Sequence, residues 1–237
     1  LVIEVPDTAG RYYVLGLLDM YTNPFASLGT RTTGTQARSF LVTPPGWQGE
    51  LPKAFQAPGA HIASPTNAVW IIGRILIDGE HELDTVHAVQ DGFAMHGLDG
   101  SSARRFDPGF APASLGAGQP SAQQFAQVVN HTLAENPPPA SEQALVARFA
   151  DLGFGARLGP PSPSQLQAIE QALTQCLAHW RQSGVGRESA TGWQSMPMLG
   201  RSFGTDYTRR AIVALKYIGA LESLDAYYPM AFSDGEG

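Results

Sequence analysis

Between residues 19 and 38 the chain reads DMYTNPFASLGTRTTGTQAR, its densest run of side chains suited to polar chemistry. Asp19, Tyr21, Asn23, Thr30, Arg31, Thr32, Thr33 and Gln36 all fall within it. A guanidinium grips a carboxylate or phosphate through two parallel hydrogen bonds, and neighbouring hydroxyls complete such a shell. Arg31, Thr32 and Thr33 are therefore candidate anion ligands, with Asp19, Tyr21 and Asn23 beside them. The competing reading is structural: Arg31 pairs with Asp19, and the threonines pave a solvent-facing strand. GTRTTG is not a phosphate-binding P-loop, because it lacks the glycine spacing and the Lys-Ser/Thr ending.

A second set, Asn67, Trp70 and Arg74, lies in NAVWIIGRILI. Strand alternation puts Trp70, Ile72 and Arg74 on one face and Asn67 on the other. An arginine in so apolar a run needs a partner, either a ligand or a carboxylate or backbone carbonyl. In HELDTVHAVQD, His87 and Asp91 are four apart and share a helical face. Two ligands make a weak metal site, so no metal is expected. No G-x-S-x-G elbow is present, and Cys176 falls in an apolar helical stripe where thiols are inert packing. Arg209 and Arg210 sit in a first helical turn, unfavourable for cations, with Asp206 in partial compensation.

These side chains must be positioned by two different kinds of element. Residues 1–80 read mainly as strands: 1–5, 11–20, 37–43 and 67–77 carry strand formers bounded by turn residues. The last of these is continuously apolar, which suggests cover on both faces. Residues 81–220 read mainly as helices. Leu83, Val86, Val89 and Phe93 mark a short one. Ser121 with Gln124 forms a capping box for the next, which Pro137–139 stops. Ser141 is a candidate cap for a third, ended by Gly153. Pro163 opens the longest, over 163–183, behind Ser162, with Leu166, Ile169, Leu173, Cys176, Leu177 and Trp180 as its stripe. A final helix is expected over about 205–219, and a returning strand in YYPMAF. Strands first and helices later point to an α+β fold. We expect a single domain over 1–237, a twisted, mostly antiparallel sheet from the N-terminal third covered by helices from the middle and C-terminal parts.

The whole chain narrows the functions further. Its 237 residues, 43% of them apolar, are enough to bury a core without disulfides or metals. The net charge is −6 and the basic residues are scattered, which argues against nucleic acid and anionic membrane surfaces as partners. The single cysteine rules out an internal disulfide. No apolar run approaches the roughly 20 residues of a membrane span. The chain opens at Leu1 on LVIEV rather than on Met or a signal sequence, a start that reads as internal.

Three stretches carry a family resemblance: VPDTAGRYYVLGLLDMYTNPFASLGTRTTGTQARSFLVTPPGW, SPTNAVWIIGRILIDGEHELDTVHAVQDGF and YTRRAIVALKYIGALESLDAYYPMAFSDGEG. Together they resemble the family called domain of unknown function 1254. The resemblance implies a bacterial domain that follows an export signal and works in the periplasm or at a membrane. It also implies a partner, a trailing β domain of unknown function 1214 with a jelly-roll-like fold. By the same resemblance, the family's N-terminal stretch before the VPDTAG block and its second domain are expected to lie outside these 237 residues. The resemblance supplies no activity.

Three functional readings stand. In the first, the domain binds a small polar or anionic molecule, such as a carbohydrate or organic acid. Its pocket is drawn from Asp19, Tyr21, Asn23, Arg31, Thr32, Thr33, Asn67, Trp70 and Arg74, with no cofactor. In the second it is a hydrolase, with Asp19 or His87 as general base and Arg31 as charge stabiliser. In the third it is a structural platform for the C-terminal β domain.

Overall fold

The computed structural model describes residues 1–107, 121–156, 158–182, 187–188, 193–195 and 202–229. The chain divides into two compact units. The first comprises Leu1–Pro65, Val69–Arg104 and Val185–Gly237; the second comprises Thr66–Ala68 and Arg105–Gly184.

Two sheets build the first unit. The larger contains β1 (Val2–Val5), β4 (Arg38–Thr43), β5 (His61–Ala63) and β7 (Ala94–His96), in the order β5-β4-β1-β7. The smaller contains β2 (Tyr13–Leu18), β3 (Pro24–Gly29) and β6 (Trp70–Ile75), in the order β3-β2-β6. Every pairing in these sheets is antiparallel except β4 with β5. The sheets meet through alternate residues. Ile3, Val5, Phe40 and Val42 of one pack against Tyr13, Leu15, Leu17 and Leu28 of the other. Each such side chain, fully buried, contributes about 1.5–3 kcal/mol. A two-stranded pair, β8 (Arg187–Glu188) with β9 (Gln194–Ser195), also belongs to this unit.

The strands of the two larger sheets thus come from residues 2–96 and most helices from the middle and C-terminal parts, an α+β fold. Three details differ from the sequence reading. The N-terminal strands form two sheets rather than one. Residues 24–29, read as loop, are strand β3; their Pro and small residues suit an edge, where the missing N–H of Pro24 costs no ladder bond. The apolar run 67–77 is not covered on both faces. Its β6 lies at a sheet edge among the described strands, with Trp70 45% and Leu76 48% exposed. β2 is the central strand of that sheet, buried at five of its six residues.

Helix α1 (Leu83–Asp91) follows a 3-10 turn at Glu80–Glu82 and buries Val86. Helix α5 (Tyr207–Lys216) has Asp206 as its cap, the carboxylate accepting from Arg209 N, and buries Ile212 and Val213. The strand expected in YYPMAF does not form over 227–229, and its remainder lies outside the described residues.

The second unit is helical. Ser121 caps α2 (Ala122–Glu135) through the reciprocal box with Gln124 that the sequence announces. Ser162 and Gln165 repeat that exchange at the start of α4 (Pro163–Gln182). Ala122, Ala126 and Ile169 form the buried contact, joined by Phe125, Phe154, Leu166 and Leu173. Cys176, expected in the packed stripe, is exposed. The N–H of Ala122 meets Glu170, so α2 starts level with that turn and the turns of α4 beyond Leu173 run past it. The helix expected from Ser141 is a short α3 (Gln143–Ala147), preceded by Glu142, and then a separate 3-10 turn ending at Gly153.

Candidate functional site

Sequence alternation gives the three-stranded sheet a second face. Its register aligns Gly16 with Ser27 on one side and Ile72 on the other. Leu18 pairs with Trp70, and Val14 with Arg74. This face carries a glycine, a serine and an arginine where the opposite face carries leucines. A Cβ built on Gly16 would find nothing nearer than the Ile72 carbonyl oxygen at 3.9 Å. The absent side chain therefore leaves room above the middle of the sheet.

Over that room runs an irregular strap, 217–229, that follows α5. Gly219 lies so close to Ile72 that a Cβ there would come within 2.2 Å of Ile72 Cδ1, and its φ of +75° also suits glycine. Its carbonyl accepts a 2.8 Å hydrogen bond from Arg74 Nη2. Further along, Arg31 grips Asp225 with two prongs, Nε to Oδ1 at 3.0 Å and Nη2 to Oδ2 at 2.5 Å. Glu222 stands 3.5 Å from the same guanidinium. The Tyr12 phenol donates to the Asp225 backbone carbonyl at 3.2 Å and faces its carboxylate at 3.3 Å. The Leu221 N–H donates to the Tyr228 hydroxyl at 3.1 Å.

Between strap, sheet and the Arg31 turn lies a cavity of about 520 Å³. Leu18, Phe25, Leu28, Ile62, Ile72 and Leu221 give it apolar walls. Arg31, Thr32, Ser27, Glu222 and Asp225 give it a polar margin. The Ser27 hydroxyl is buried with no hydrogen-bond partner among the described residues. Electrostatics follow the contacts. The hydrogen bond to Asp225 holds the Arg31 guanidinium above its ordinary pKa. Burial, then the nearby Asp225 charge, pushes the Tyr12 phenol up.

The structure places the sequence candidates in four groups. Arg31, Thr32 and Thr33 line the cavity. Their roles are more structural than expected. The Thr33 hydroxyl accepts from Gly29 N at 3.0 Å, and the Gly29 carbonyl accepts from the N–H groups of Thr32, Thr33 and Gly34. Trp70 and Arg74 share the sheet face of Ile72 but lie outside the lining, and Arg74 spends Nη2 on Gly219. Asp19, Tyr21 and Asn23 form the β2–β3 turn. There Asp19 Oδ1 accepts from Tyr21 N at 2.9 Å and Asn23 N at 2.8 Å, while the Asn23 amide reaches Oδ2 at 3.0 Å. Asn67 belongs to the other unit, where it donates to the Glu135 carbonyl at 2.7 Å.

Arg31 therefore pairs with Asp225 and Glu222, where the sequence suggested Asp19. Of the two alternative bases for a hydrolase, Asp19 is 5% exposed and engaged in its turn, and His87 is exposed on α1. Among the described residues, no group of three or more His, Cys, Asp or Glu is placed to hold a metal ion. Sequence reasoning missed Gly16, Ser27, Ile72, Glu222 and Asp225. The only signal for the last two was their place in a family-like block, since nothing local ties Asp225 to a residue 194 positions earlier.

Among the described residues, no helix is long and apolar enough to cross a membrane. The model of the family "Protein of unknown function (DUF1254)" matches residues 1–97, which contain β1 to β7 and most of the cavity's walls. No curated protein matches the sequence. Among solved structures, the chain is similar to the VPA0106 protein from Vibrio parahaemolyticus, with a TM-score of 0.64 at 18% identity. The likeness covers 94% of this chain and 54% of that one, so the chain spans about half the length of that protein. At that identity the likeness speaks for the fold alone.

Proposed function

We propose that this member of the DUF1254 family, a membership carried by residues 1–97, is a binding domain for a small molecule with an apolar body and a polar end. One observation carries the reading: a cavity of about 520 Å³ over Gly16, walled by apolar side chains and edged by a few polar ones. That size and that lining are typical of small-molecule sites. The ligand's apolar body would lie against Leu18, Phe25, Ile62 and Ile72. Its polar end would meet Ser27 and the Arg31, Glu222 and Asp225 edge. A ligand atom on Ser27 would also satisfy a buried hydroxyl, a group that costs free energy when left without a partner. The anionic ligand suggested by Arg31 alone loses its anchor here, because that guanidinium already holds two carboxylates. An exported setting, implied by the family resemblance, is part of the same proposal.

Gly16→Val tests it. The new side chain has open space, so the fold is retained, and replacing a mid-strand glycine by a β-branched residue favours the strand by up to about 1 kcal/mol. The same side chain fills the floor of the cavity. Uptake of the neutral dye Nile red, followed by fluorescence, is expected to weaken by at least about tenfold in the variant while thermal stability holds or rises. If the variant takes up the dye as well as the parent does, the cavity is not a binding site.

A further inference from the structure

We propose that Ser27 sets the ligand class: the cavity takes a neutral carbonyl compound, a ketone, aldehyde or ester on an apolar body, whose oxygen accepts a hydrogen bond from the Ser27 hydroxyl. The inference rests on the binding role proposed above and names the group that the ligand carries.

Strand pairing places Ser27 on the floor of the cavity rather than at its margin. Ser27 stands across from Gly16 on one side of the central strand, and Ile72 stands across from it on the other. The next residues of β2 on the same face are Val14 and Leu18. The hydroxyl thus lies among apolar side chains, beside the space that Gly16 leaves, where an added Cβ would meet nothing nearer than 3.9 Å.

A serine is a costly residue for that place unless something bonds to it. Its Oγ is buried and has no hydrogen-bond partner among the described residues. A methyl group in its position would lose nothing by burial, whereas an unbonded hydroxyl loses its water. Serine has one side-chain torsion with three staggered positions, so turning Oγ toward a ligand breaks no hydrogen bond described here.

The surroundings select the acceptor. A carboxylate or an ammonium on the floor would give up its hydration for one hydroxyl among apolar walls. An alcohol would satisfy Ser27 but bring a second O–H that needs an acceptor of its own. A hydrocarbon fills the space and leaves Oγ unbonded. A carbonyl oxygen accepts from Ser27 and adds no donor, so one hydrogen bond serves both groups.

The experiment titrates the full chain with acetophenone and α-methylstyrene, followed by amide chemical shifts. The two probes share one shape and differ by C=O in place of C=CH2. The readout is the ratio of their affinities, compared between parent and variant so that their different hydrophobicities cancel. Ser27→Ala is expected to lower the ratio of acetophenone to α-methylstyrene affinity at least about fivefold. Its thermal midpoint should hold or rise, because the hydroxyl it removes bonds to nothing described in the fold. In the parent, both probes should shift Gly16, Ser27 and Ile72. The inference is overturned if the ratio is the same in parent and variant. It is also overturned if Ser27→Ala fails to fold or melts more than about 4 °C lower, which would mark the hydroxyl as structural. If both probes bind and Gly16→Val abolishes both, while Ser27→Ala leaves the ratio unmoved, the carbonyl preference fails and the binding role stands. If neither probe binds, the binding role falls and the carbonyl preference with it.

Discussion

The two faces of the three-stranded sheet are made by the same three strands, yet they were put to opposite uses. The inner face carries Leu15, Leu17 and Leu28, packed against Ile3, Phe40 and Val42 of the neighbouring sheet, and Leu17 is wholly buried. One residue along each strand, the outer face carries Gly16, Ser27 and Ile72, and its cover is a strap without regular structure. The inner face holds the fold by close packing. The outer face leaves room, and the strap over it is held by a few polar bonds: Arg74 to Gly219, Arg31 and Tyr12 to Asp225. Apart from residues such as Phe25, Leu28 and Ile62, which touch both core and cavity, stability and binding capacity are thus separated by a shift of one residue in register, and a substitution at Leu17 or Gly16 should affect one without the other.

The largest effect should come from the inner face. Leu17→Ala removes a fully buried side chain between two sheets and is expected to cost about 2–5 kcal/mol, measured by urea unfolding. A loss under about 1 kcal/mol would mean that the inner face is not the seat of stability. An intermediate effect is expected at the latch. Asp225→Asn keeps the shape but removes the charge from the Arg31 pair, which is only partly shielded from water. Amide hydrogen exchange should quicken about tenfold over 219–226 and stay unchanged at Leu17, a local opening of about 1.4 kcal/mol. Equal quickening at both places would show that the faces are coupled rather than separate.

The smallest effect is a pH response at the rim of the sheet. Arg11 grips the Glu82 carboxylate at 2.8 and 3.1 Å and donates to the Leu76 carbonyl, joining the end of β6 to the start of β2. The hydrogen bond from Arg11 holds the Glu82 carboxyl down at about 2, against an ordinary 4.5. A lowered folded-state value means that the contribution is fully present above about 4.5 and is lost as the pH falls through about 2. Glu82→Gln should therefore flatten this part of the acid-side decline in urea midpoint between about pH 5 and about pH 3. An unchanged slope would remove the pair from the account of acid stability.

How much of this was legible depended on distance along the chain. The capping box of α2 and the Ser162 cap of α4 were legible because each is written within four residues, although Gln165's part in the latter was not read. Trp70, Ile72 and Arg74 were placed on a shared face by alternation alone, and they share one. Strand β3 was not legible: PFASLG has the composition of a loop, and only its position at an edge makes Pro24 and its small residues acceptable. Arg31 was read as an anion ligand, with a pair to Asp19 as the competing reading, and in the structure it holds carboxylates of its own chain. One of these, Asp225, lies on an irregular segment with no periodic signal, so Asp19 was the nearer guess. Gly16 could not be singled out from its type, because a glycine in a strand marks a bulge, a close approach or a cavity with equal right.

The separation of Arg31 from Asp225 by 194 residues also sets a timetable. At the usual pace of synthesis, about 5–20 residues per second, β3 and its Arg31 turn leave the ribosome about 10–40 seconds before the strap that covers them is made. The helical unit, Arg105–Gly184, is translated in between. The inner face needs only residues from the first 97 and closes early, whereas Leu18 and Ile72 on the outer face wait uncovered. For that interval the apolar strip lies open, and the strap is laid down on it only after the inner face has closed.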